Sequence, residues 1–127
     1  MLKANAAFSG FSVNDLEKAK KFYTEVLALK VEDETMGLTL GLPAGGSIFI
    51  YPKENHEPAG YTMLNFVVSD IDEAVDSLVE MGVEFEIYEG MHQDDKGIAR
   101  GIEAKMGPDI AWFKDPAGNI ISVLQDK

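Results

Sequence analysis

Phe11-Ser12-Val13-Asn14-Asp15-Leu16-Glu17-Lys18-Ala19 returns later in the chain as Phe66-Val67-Val68-Ser69-Asp70-Ile71-Asp72-Glu73-Ala74, with Phe, Val, Asp, an aliphatic residue and Ala repeated at a constant separation of 55 positions. A second echo follows in each half, where Pro43, Ala44, Gly45, Gly46 and Ile48 correspond to Pro116, Ala117, Gly118, Asn119 and Ile121. Self-similarity of this kind marks two copies of one supersecondary unit. It also allows the residues at equivalent positions of the two copies to be compared.

In the first copy an apolar run over 6–13 stops at Asn14, a residue type that caps helices, and Glu17 completes a capping box. Leu16, Ala19, Tyr23, Val26 and Leu27 then recur at helical spacing, with Glu17, Lys18, Lys20, Lys21 and Glu25 on the other face, which predicts a helix over 15–27. Short strands are predicted over 30–34, 37–42 and 47–53, broken by the turn at 43–46. The second copy repeats this β-α-β-β-β order. A strand over 61–68 leads to Ser69 as cap and to a helix with the stripe Ile71, Ala74, Val75, Leu78 and Val79, ended by Gly82 in the left-handed conformation. Further strands are predicted over 83–88, within 102–113 as one long or interrupted strand, and over 120–125, with a long polar loop at 89–101 and a linker near 55–60.

The fold class that follows is α+β: one domain of two tandem βαβββ modules, about 5–54 and 60–126, forming curved mixed sheets with a concave cleft. Strand alternation sets the faces. Phe11, Val13, Ile48, Ile50, Ile121 and Val123 belong under the helices, which leaves Phe8, Gly10 and Ser12, Ser47, Phe49 and Tyr51, Met63, Asn65 and Val67, and Ile120, Ser122 and Leu124 on the uncovered side, the expected floor of the cleft.

Composition narrows the function. At 127 residues and 46% hydrophobic content one core is feasible and a second independent domain is not. The absence of cysteine excludes disulfides, thiolate metal centres and cysteine nucleophiles. A net charge of −11 argues against nucleic acid, whose phosphates require the opposite sign, and leans faintly toward a cationic ligand. No stretch reaches membrane-spanning length and Met1-Leu2-Lys3-Ala4 does not open a leader, so a cytoplasmic protein with no membrane partner is expected.

The paired β-α-β-β-β plan, Val13-Asn14-Asp15-Leu16 followed by Phe22-Tyr23, and Phe113-Lys114-Asp115-Pro116-Ala117-Gly118-Asn119 near the end together resemble the vicinal oxygen chelate superfamily, which includes glyoxalase I, extradiol dioxygenases, methylmalonyl-CoA epimerase and the fosfomycin and bleomycin resistance proteins. The resemblance spans about 6–125. Metal-dependent relatives place a His or Gln on the first strand of each half and a Glu on a last strand. Motif matching carries those positions onto Phe8, Phe49, Met63 and Ser122. One hydroxyl and one thioether cannot replace the imidazole and carboxylate ligands that zinc, nickel, manganese or iron need. The resemblance therefore implies a small-molecule-binding protein of the glyoxalase and bleomycin resistance type with no metal or other cofactor, and a homodimer, since relatives of this length pair through uncovered sheet faces.

The expected ligand-binding residues are Phe8, Phe49, Tyr51, Met63, Asn65, Arg100, Trp112 and Ser122. Arg100, the sole arginine, stands where the loop re-enters the sheet, placed either to hold a ligand anion or to pair with one of the many acids. Trp112, with Tyr51, Tyr61 and Phe49, offers aromatic surface. His92, beside Gln93, Asp94 and Asp95, reads either as a cation-binding lid or as a solvated loop. Two other classes stay open: a lyase, isomerase or dioxygenase with a metal at an unrecognised site, and an interaction module with a closed core.

Overall fold

Asp15 and Asp70 open the two helices in the same way. Both adopt extended backbone (φ −141° and −139°), and each carboxylate accepts an N–H three residues on, from Lys18 and Glu73, at 3.1 Å. The sequence expectation of Asn14 and Ser69 as caps is thus off by one residue in both copies. Each neighbouring pair consists of two good capping types, and the one whose side chain reaches back to the first turn does the capping.

The computed structural model describes residues 1–127 and divides into two compact units, Met1–Pro58 and Ala59–Lys127. In the first unit β1 (Ser9–Val13) leads into α1 (Leu16–Lys21), which continues as a π-helical turn, Phe22–Val26, before β2 (Val31–Glu34), β3 (Gly37–Gly41) and β4 (Ser47–Pro52). The strand order is β1-β4-β3-β2, with β1 parallel to β4 and the remaining pairs antiparallel. Val13, Leu38, Leu40, Ile48 and Ile50 bury beneath the helix, where Tyr23 is fully enclosed with its ring 6.0 Å from that of Phe11. The widened turn ends where Leu27 N–H reaches the Phe22 carbonyl and Ala28 takes a positive φ of 54°.

The second unit repeats this topology. β5 (Thr62–Val67) precedes α2 (Ile71–Glu80), β6 (Ala99–Arg100), α3 (Gly101–Ala104), β7 (Asp109–Lys114) and β8 (Ile120–Gln125), in the order β5-β8-β7-β6 with β5 parallel to β8. Ile71, Val75, Ala111, Phe113, Ile121 and Val123 form its core. Val79, expected in the buried stripe of α2, is 53% exposed, and the stripe stops at Leu78. Gly82 closes the helix at φ 92°, a conformation that costs a residue without Cβ little.

Two expectations fail in this copy. Residues 83–88 form no strand, although Val83, Phe85 and Ile87 alternate with Glu84 and Glu86. Their backbone groups find other partners: Glu86 N–H donates to the Trp112 carbonyl, while the Gln93 side chain accepts from Tyr88 N–H and donates to the carbonyls of Glu86 and Gly97. A single amide side chain thus does what a neighbouring strand would do. The strand expected within 102–113 occupies only Asp109–Lys114, because Gly101–Ala104 is a helical turn that leaves Ala99–Arg100 as the fourth strand.

Candidate functional site

The helix-free face of the second sheet follows from its register. Asn65 lies opposite Ser122 and Ser122 opposite Trp112, while Val67, Leu124 and Ile110 continue the same face. Ser122 is fully buried, and its hydroxyl donates to Asn65 Oδ1 at 2.5 Å. Met63 sits where the register with β8 slips by one residue, so it has no opposite number. Trp112 is 8% exposed, its indole N–H donates to Thr62 Oγ1 at 3.0 Å, and the Tyr88 ring meets it edge-on at 5.5 Å and 73°. These contacts fix the tryptophan from two sides.

Beside Trp112 opens a pocket of about 260 Å³. Tyr61, Tyr88 and Trp112 give it aromatic walls, Met91 and Ile120 add apolar surface, and Thr62 and Glu89 are its polar side chains. A wider groove on the first unit, about 560 Å³, is lined only by the polar and charged face around Lys18, Lys21 and Glu25 and lacks the apolar walls that bind organic ligands. Of these two, the smaller pocket is the better candidate. The hydroxyl of Tyr88, one of the lining residues, is buried and has no hydrogen-bond partner. Burial first, and then the Glu86 carboxylate, push this phenol above its usual range, with Lys114 opposing.

The remaining expected residues are distributed as follows. In the first unit Phe49 and Tyr51 share the uncovered face with their rings nearly parallel, 6.1 Å apart. Ser12 Oγ lies on that face 2.6 Å from His56 Nδ1. Phe8 precedes β1 and is 72% exposed, so it is not the strand residue that motif matching suggested. Arg100 pairs in register with Asp109, whose neighbours in alternation, Ala111 and Phe113, pack toward α2; it thus stands on the opposite face from Trp112. Its guanidinium donates to both carboxylate oxygens of Asp72 (2.8 and 3.0 Å) and to Asp94 (3.0 Å), with Asp109 at 3.8 Å. Of the two readings of Arg100 this is the ion pair, and the correction follows from three acids surrounding the sole arginine. Hydrogen bonds from Arg100 and Lys96 hold the Asp72 carboxyl well below its ordinary range.

The loop after Tyr88 is organised around Asp94, whose carboxylate accepts from the N–H groups of Lys96 and Ile98 as well as from Arg100. Burial raises its pKa, but these hydrogen bonds outweigh burial and lower it. His92 is exposed at φ 50°. Sequence reasoning missed Tyr88 and Met91 as pocket residues. Both lie outside any strand, so alternation carried no signal for them.

The positions that carry the metal in relatives do not fit one here. Phe8 and Phe49 offer no donor atom, Met63 only a soft thioether, and the Ser122 hydroxyl is buried and engaged with Asn65. No three His, Asp or Glu side chains are grouped to hold a metal ion elsewhere. No helix is long and apolar enough to cross a membrane.

Residues 7–123 match the model of the Glyoxalase/Bleomycin resistance protein/Dioxygenase superfamily, and the chain belongs to that family. No curated protein matches it in sequence. Among solved structures it is similar to an antibiotic binding protein from a Streptomyces species, at 25% identity and TM-score 0.65 over 99% of this chain and 100% of that one. A superfamily member from Sphaerobacter thermophilus matches at 25% identity and TM-score 0.65, over 95% and 98% of the two chains. A genomically encoded fosfomycin resistance protein from Listeria monocytogenes matches at 16% identity and TM-score 0.69, over 99% and 96%, a likeness of fold alone.

Proposed function

We propose that this protein binds a small organic molecule without a metal ion, in the Trp112–Tyr88 pocket of the second unit. The observation that carries the reading is the aromatic pocket itself, apolar on most sides with a buried phenol that lacks a partner. Apolar walls with a few placed polar groups are what a ligand site needs. The mismatch between hard divalent ions and Phe8, Phe49, Met63 and Ser122 supports the metal-free part of the reading. Similarity to an antibiotic binding protein supports the binder part. Self-association into a homodimer through the uncovered sheet faces, in the cytoplasm, belongs to the same proposal.

The test uses the fact that Trp112 is the only tryptophan. Its fluorescence reports the pocket directly, so a library of small apolar compounds, antibiotics included, is screened against chelator-treated protein. Saturable quenching is the expected result. Quenching that requires added zinc, nickel, manganese or ferrous ion would favour the metalloenzyme alternative.

A further inference from the structure

We infer that the ligand of this pocket is a small organic cation, an alkylated ammonium group carried on an apolar body. The inference rests on the metal-free binder reading and adds the charge and type of the ligand. Tyr61, Tyr88 and Trp112 bring three aromatic side chains to one pocket, and Met91 adds a polarisable thioether. Aromatic faces carry negative quadrupole density and attract cations set against them. The only ionisable residue lining the pocket besides the tyrosines is Glu89, an exposed carboxylate, and no lysine, arginine or histidine lines it.

Lys114, the cation whose charge acts on Tyr88, is already paired with Glu86 at 3.4 Å. An anionic ligand would therefore meet a carboxylate with no cation to balance it. A primary ammonium has three donors to satisfy and would draw on Glu89, Thr62 and the tyrosine hydroxyls, leaving the carbon walls that make up most of the pocket unused. An alkylated ammonium needs few hydrogen bonds and gains from contact with rings. The volume, about 260 Å³, suits a small head group of this kind.

The probe is choline, and its control is 3,3-dimethylbutan-1-ol, which has the same shape without the charge. Both are titrated into chelator-treated protein, read by Trp112 fluorescence and by backbone amide shifts. Choline should bind about ten-fold tighter than the alcohol. Glu89→Gln should narrow that gap and Tyr61→Ala should weaken choline, each by about three-fold or more. Both residues are exposed, so the variants should keep the fold. Equal or tighter binding of the alcohol with shifts in the pocket would overturn the inference while leaving the small-molecule reading intact. Choline shifts that bypass 61, 88 and 112, or no saturation by either compound, would also overturn it. Failure of the whole compound library is the separate result that removes the binder reading.

Discussion

Replacing Tyr88 by phenylalanine should make the protein more stable, a direction opposite to that of most substitutions in a packed region. The Tyr88 hydroxyl is buried and lacks a partner, so folding strips it of water with nothing in return. Leaving a buried polar group unsatisfied costs about 1–3 kcal/mol. The side chain as a whole is only half-buried, so its ring has some freedom to tilt, and the lower end, about 1 kcal/mol, is the expected gain. The edge contact with Trp112 at 5.5 Å needs only the ring and survives the change. With a urea slope of about 2 kcal/mol/M, the midpoint should rise by about 0.5 M. Unfolding followed through Trp112 reads the unit that contains the substitution. A drop in stability of about 0.5 kcal/mol or more would show that the hydroxyl has a partner in the unliganded protein, and the reasoning would be refuted.

Asp72→Asn should loosen the segment after Tyr88, because Asp72 holds both Arg100 and Lys96. The side chain is 48% exposed, so solvent screening limits the loss to about 1 kcal/mol, smaller still in high salt, and faster amide exchange over 94–100 checks it. The folded pKa of Asp72 lies below its ordinary 3.8, so this stabilisation is fully present above that value and is lost as the solution becomes more acidic; the difference between wild type and variant should vanish in acid. Asp115→Ala should cost about 2–4 kcal/mol, since one buried carboxylate accepts from the N–H groups of Ala117 and Asn119 and from the Asn119 side chain, all at 2.9 Å; thermal unfolding measures it. Gly37→Ala should destabilise the first unit by about 1–3 kcal/mol or prevent folding, because a Cβ there would run into the Ile50 carbonyl oxygen and meet the Phe49 ring at 3.1 Å; circular dichroism on the purified variant decides.

The duplicated stretch made most of the fold legible. Phe11 to Ala19 and Phe66 to Ala74 carry both the strand period and the helix period, so β1, α1, β5 and α2 could be read along with their buried faces. The caps were displaced by one residue because Asn14-Asp15 and Ser69-Asp70 are equally good in composition and differ only in geometry. Residues 83–88 misled for a deeper reason. Alternation reports which side chains seek burial, and it says nothing about whether a neighbouring strand or the Gln93 amide will satisfy the backbone. Of the ligand-binding residues expected from the sequence only Trp112 lines the pocket; Asn65 and Ser122 share its sheet face, which follows from counting by twos, but stand outside the pocket lining. Tyr88, Glu89 and Met91 come from a segment of irregular backbone, where no period announces the direction of a side chain. The ion pair of Arg100 was one of its two sequence readings, but its partners Asp72, Asp94 and Asp109 come from a helix, a loop and a strand, which no local pattern brings together.

The most direct measurement is a map of backbone amide shifts on chelator-treated protein as a bound compound is added, repeated with zinc, nickel, manganese or ferrous ion present. The account expects shifts gathered at 60–62, 88–91, 112 and 120, with the same affinity whether or not metal is added. Binding that appears only with metal, its shifts centred on Asn65 and Ser122, would contradict it.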